Sequence, residues 1–131
     1  MKKTKLIILF LIIASMFTFT ACQNNKVDDV VITISAEKYS VQDKTLKDYM
    51  DYLVNEGELS YTMSGTMLVS LNGTSNTSNS YWMLYTDDVE NSDTTWGTIE
   101  RDGKIYASAI SGVSDLLIKD GCTYILTYQT F

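Results

Sequence analysis

Only one stretch of this sequence carries a helical period, and almost everything beyond it carries the period of a strand. Leu46, Tyr49, Met50 and Leu53 fall at i, i+3, i+4 and i+7, so they share one helix face, while Lys47, Asp48, Asp51 and Asn55 point elsewhere. Thr45 is placed to cap this helix, with Asp48 three residues on in a variant of the capping box, and Gly57 is placed to end it. The spacing predicts a helix over 45–56 that lays one apolar stripe on a sheet. After Gly57 the apolar period drops to two. Strands are expected at 59–63, 66–71, 81–86, 94–100, 104–110 and 122–131, with another at 30–36 before the helix. Asn72-Gly73 and Asp102-Gly103 are hairpin turns by composition, and Lys119-Asp120-Gly121 is a further turn. The stretches 74–80, 87–93 and 111–115 read as loops. One helix with roughly five to seven short strands is an α+β domain.

Two strands have unusual faces. In 81–86, Tyr81, Met83 and Tyr85 face one way and Trp82, Leu84 and Thr86 the other, which implies a central strand or an exposed aromatic patch. In the last strand, Cys122, Tyr124, Leu126 and Tyr128 share a face, so Cys122 is expected to be a small buried apolar residue rather than a reactive thiol.

The N-terminus has a different logic. Lys2, Lys3 and Lys5 precede twelve almost wholly apolar residues, Leu6 to Phe17, and then small residues lead to Cys22. That layout predicts a secretory signal peptide over 1–21. The apolar run is too short for the roughly 20 residues of a membrane-spanning helix. Phe19-Thr20-Ala21-Cys22 resembles the bacterial lipobox, with Phe19 where Leu is usual. The resemblance implies a diacylglyceryl thioether on Cys22, with palmitate-like acyl chains. It places the protein on the extracytoplasmic face of the cell membrane, held by more than one acyl chain. Residues 22–29 are then the lipidated cysteine and a short tether, and 30–131 the domain.

Without Lys2, Lys3 and Lys5 the ten Lys and Arg become seven, against sixteen Asp and Glu, a net charge of −9. Such a domain is a poor partner for nucleic acid or anionic headgroups. Cys22 and Cys122 are the only cysteines, so a lipidated Cys22 leaves Cys122 without an intramolecular partner. The sequence has no histidine, which excludes histidine-dependent triads and histidine zinc sites. No catalytic constellation is visible, and a non-enzyme is expected.

The order of these elements resembles a known family. A helix follows the first strand, then come Leu71-Asn72-Gly73, Tyr81-Trp82-Met83-Leu84-Tyr85, and Lys119-Asp120-Gly121 before a final aromatic strand. Over about residues 28–131 this resembles the transcobalamin-C-terminal-like family of bacterial surface proteins. The resemblance implies a β-grasp-like fold, a mixed sheet packed on a single helix. The chain departs from the family in two places. The segment from Asp87 to Lys104, carrying Trp96, replaces a tight Asn-Gly hairpin, and Cys122 stands where an Asp commonly completes the late turn.

Trp82, Tyr85, Trp96 and Tyr106 are the candidate ligand-binding residues, since aromatic faces stack on a flat cofactor, a sugar or a polyprenyl-like chain. Core packing is the competing reading for Trp82, whereas the polar surroundings of Trp96 predict exposure near Trp82 or Tyr85. Asp87, Asp88, Glu90 and Asp93 carry the right oxygens for Ca²⁺ but not EF-hand spacing, so a solvated loop is expected and no metal. Asn72-Gly73-Thr74 and Asn76-Thr77-Ser78 match the glycosylation acceptor, without meaning in a bacterial lipoprotein. The sequence thus predicts a lipid-anchored, non-catalytic ligand-binding domain, with cobalamin or another corrinoid as the cofactor the resemblance suggests. The alternative is a surface module for protein–protein interaction or adhesion.

Overall fold

A computed structural model describes residues 26–131. The expected signal peptide and the lipidation at Cys22 lie outside the described residues. The domain is α+β, mostly antiparallel sheet with one α-helix. Its elements are β1 (Val30–Thr33), α1 (Leu46–Asn55), β2 (Tyr61–Ser64), β3 (Met67–Leu71), β4 (Thr74–Ser75), β5 (Ser80–Thr86), β6 (Ser92–Arg101), β7 (Lys104–Ala109) and β8 (Thr123–Thr130). A single 3-10 turn, Val89–Asn91, separates β5 from β6.

The capping box is present in full. Thr45 accepts from the Asp48 N–H, and Asp48 accepts from the Thr45 N–H. The first helical donors also find partners at long range: Leu46 N–H donates to Leu116 O at 2.8 Å and Lys47 N–H to Val113 O at 2.9 Å. Groups left open by any helix start are thus satisfied by the 112–118 segment. That segment has no strand or helical period, yet it buries Val113, Leu116 and Ile118. The helix buries Leu46, Tyr49 and Met50, but Leu53 is only half-buried, because the last turn emerges from the core.

Strand order in the large sheet is β1-β8-β5-β7-β6, and β2-β3-β4 form a small second sheet. Every strand pairing among the described residues is antiparallel, in contrast to the mixed sheet the family resemblance implies. Trp82, Leu84 and Thr86 stand opposite Tyr128, Leu126 and Tyr124 across β5–β8, and Ile32 stands opposite Tyr124 across β1–β8. This face packs with Leu46, Tyr49 and Met50 of α1 and with Leu59 and Leu71 in one core. Because side chains alternate along a strand, Tyr81, Met83, Tyr85, Ile125 and Thr127 lie on the other face.

No helix covers that second face, yet Tyr85, Ile125 and Thr127 are buried. The reason lies in the β6–β7 hairpin. β7 pairs with β5 only at Tyr85 and Thr86 and then leaves it. Arg101, at the tip of the hairpin, is 2.6 Å from Asp29 beside β1, the strand at the opposite edge of the sheet. In a flat five-stranded sheet those edges stand roughly 19 Å apart, at ~4.8 Å per strand. The ion pair therefore requires the hairpin to curl back over the second face. A break in register supplies the bend: Asp93 pairs with Ser108 and Thr98 with Ala107, leaving Thr94, Thr95, Trp96 and Gly97 without partners. Gly97 has φ 122°, a conformation open to glycine and costly for other residues.

Candidate functional site

The four candidate aromatic residues do not form one surface. Trp82 is buried in the core. Its ring lies 5.3 Å from that of Tyr128, and its indole N–H donates to Thr74 O at 2.9 Å. Tyr85 is buried on the opposite face of the same strand, where its hydroxyl meets the Gln129 amide. Tyr106 is half-buried on β7, with the Lys104 ammonium 5.6 Å from its ring centre. Trp96 is 63% exposed on the bulge that bends β6. Tyr85 stands three positions after Trp82, an odd offset, and strand alternation sends their rings to opposite faces.

Trp82 is nevertheless at the wall of an open apolar groove of about 290 Å³. One side of β5, from Tyr81 to Leu84, has no strand beside it because β7 ends at Ala109, level with Leu84. β3 and the loop at Gly112-Val113 stand across that gap and complete the groove. Met67, Leu68, Met83, Leu84 and Val113 contribute its apolar lining, and Leu126 its floor. Met67 is 52% exposed, and Leu68, Met83 and Leu84 are half-buried. No charged side chain lines it. Met67, Leu68 and Val113 are absent from the sequence expectation, since the groove is made by a strand failing to continue its pairing. The half-apolar strand 66–71 is the only local signal for it.

A larger concavity of about 610 Å³ lies along the N-terminal segment, lined by Lys26, Asp28, Asp29, Arg101, Thr127 and neighbours. It is charged, and its Arg101 and Asp29 already neutralise each other. Charge is likewise consumed around the 3-10 turn. Asp88 is buried rather than solvated, accepting from Glu90 N–H, from the Asn91 amide and from Lys119. Lys119 also pairs with Glu90. Burial pushes the Asp87 carboxyl up, but the Lys104 ammonium at 2.7 Å and the Thr123 N–H outweigh it and hold the acid below its ordinary range. Among the described residues no group of three or more acids, cysteines or histidines is arranged to hold a metal ion. Cys122 is a half-buried free thiol. Burial, then Asp88 and Asp87, push its pKa up, which disfavours the reactive thiolate.

No helix among the described residues is long and apolar enough to cross a membrane. Comparison with protein-family models, with curated proteins and with solved structures finds no match to this chain.

Proposed function

We propose that the chain is a lipid-anchored, extracytoplasmic lipoprotein whose domain, residues 30–131, is non-catalytic and binds a small ligand through the ligand's apolar part. The site is the groove beside Trp82. One observation carries the reading: this concavity has no charged side chain in its lining, unlike the concavities along the N-terminal segment. Binding pockets combine apolar walls with few polar groups, at volumes of roughly 300–1,000 Å³, and the groove stands at the lower end. Trp82 then serves both as core and as site wall. The likeness to the transcobalamin-C-terminal-like family and its β-grasp fold is part of the same proposal. A single helix against one sheet face supports it, and the antiparallel β1–β8 pairing departs from it. A corrinoid or other flat cofactor is the ligand class that likeness suggests.

The test is uptake of an uncharged phenylnaphthylamine dye by the full chain carrying Cys22→Ser, so that no acyl chain of its own competes. Saturable one-to-one binding, lost in Met67→Asp, is the expected result. Uptake that does not saturate, or that Met67→Asp leaves unchanged, would remove the groove from consideration. A second reading, a protein-docking or adhesion surface, is favoured by Trp96, an exposed aromatic on the bent hairpin. Loss of partner adhesion in Trp96→Ala with dye uptake intact would favour it.

A further inference from the structure

We infer that the groove takes an uncharged, unbranched hydrocarbon chain rather than a flat cofactor with a polar rim; the inference rests on the ligand-binding role proposed above. Its basis is the bonding of the polar groups around the groove. The Asn76 amide is committed at both ends, donating to Leu68 O at 2.9 Å and accepting from Trp82 N–H at 3.0 Å. The Trp82 indole N–H is held by Thr74 O, and the Tyr81 hydroxyl donates to Ser78 O. A ligand with amides or carboxylates around its edge would lose water there and find few replacement partners, the Thr66 hydroxyl being one, which is costly. The −9 charge of residues 22–131 further disfavours an anionic ligand.

One of the same bonds occupies a group that an extended peptide would need. The β5 edge that faces the groove offers the Trp82 N–H, and Asn76 Oδ1 already occupies it. Strand addition needs such groups free. What remains is shape and apolar contact. About 290 Å³ holds roughly ten groups of methylene or water size, at ~30 Å³ each. Met67 and Met83 have the flexible, polarisable side chains that adapt to a thin chain.

The experiment uses the full chain with Cys22→Ser, labelled with ¹³C at the methionine methyls, and a series of straight-chain alcohols from octanol to dodecanol. Met67 and Met83 should shift saturably while Met50, in the closed core, stays still. Affinity should rise about fourfold per added methylene and flatten near ten carbons. Met67→Asp should weaken decanol binding at least about tenfold, and Met67→Leu should preserve it. Dicyanocobinamide is the contrasting probe. If it moves the Met67 and Met83 methyls and decanol does not, the hydrocarbon inference falls and the ligand-binding role stands. An affinity independent of chain length also overturns the inference. If neither probe moves these methyls, the inference and the binding role fall together.

Discussion

Tyr124 makes the stability of this domain sensitive to alkali in a way that can be isolated. It sits on β8 between Ile32 and Thr86, is fully buried, and its hydroxyl accepts from Lys119 N–H at 3.1 Å. Burial pushes its pKa from 10.0 up to about 12, and Cys122, Asp88 and Asp87 add to the effect against the opposing Lys119 hydrogen bond. The fold therefore favours the neutral phenol. The resulting stability is fully present below pH 10 and is lost as pH rises through about 12. A two-unit shift corresponds to about 2.7 kcal/mol, a large fraction of the roughly 5–15 kcal/mol that holds a typical domain. Tyr124→Phe removes the ionisation at a cost of about 1–2 kcal/mol, since one buried N–H loses its acceptor. Urea unfolding of both proteins from pH 9 to 12 is the assay. The wild type should be the more stable at pH 9, and its advantage should vanish or reverse by pH 12. Absorbance at alkaline pH should show one of the nine tyrosines ionising only with unfolding. Parallel stability curves across the whole range would refute the argument, because they would mean that Tyr124 ionises without opposition from the fold.

Met50→Ala should destabilise by about 2–5 kcal/mol and Leu53→Ala by about 1–2 kcal/mol, measured by urea unfolding; equal losses would contradict the emergence of the last helical turn. Arg101→Ala should speed amide hydrogen exchange over 98–106 while changing global stability by about 1 kcal/mol or less, because the Asp29 pair is partly exposed. Unchanged exchange there would mean that the hairpin is curled by its bulge alone. Cys22→Ser should release the protein from the membrane fraction, and a variant that still fractionates like wild type would end the lipoprotein assignment.

Much of the fold is local and was readable residue by residue. The capping box at Thr45 and Asp48, the 45–56 helix, the Asn72-Gly73 and Asp102-Gly103 turns and the alternation of β5 all depend on neighbours within a few positions. The turns carry their positive φ at Asn72, Gly73, Asp102 and Gly103, as the dipeptides demand. The placement of Tyr81–Thr86 at the centre of the sheet is one of the two outcomes that two apolar faces on one strand allowed, the other being an exposed aromatic patch.

The rest depends on contacts far apart in sequence. The 112–118 segment has no period; its apolar residues join the core, and two of its carbonyls accept from the start of α1. Asp87 and Asp88 read as solvated acids, and only the folded chain brings Lys104 and Lys119 to them. The groove is the clearest case. It exists because β7 ends at Ala109, just past its pairing with Tyr85, and leaves Tyr81–Leu84 without a strand on that side, so its walls come from β3, β5 and a loop that share no sequence signal. A residue's face within a strand is set by its own neighbours, whereas the space beside that strand is set by whichever other strand fails to fill it.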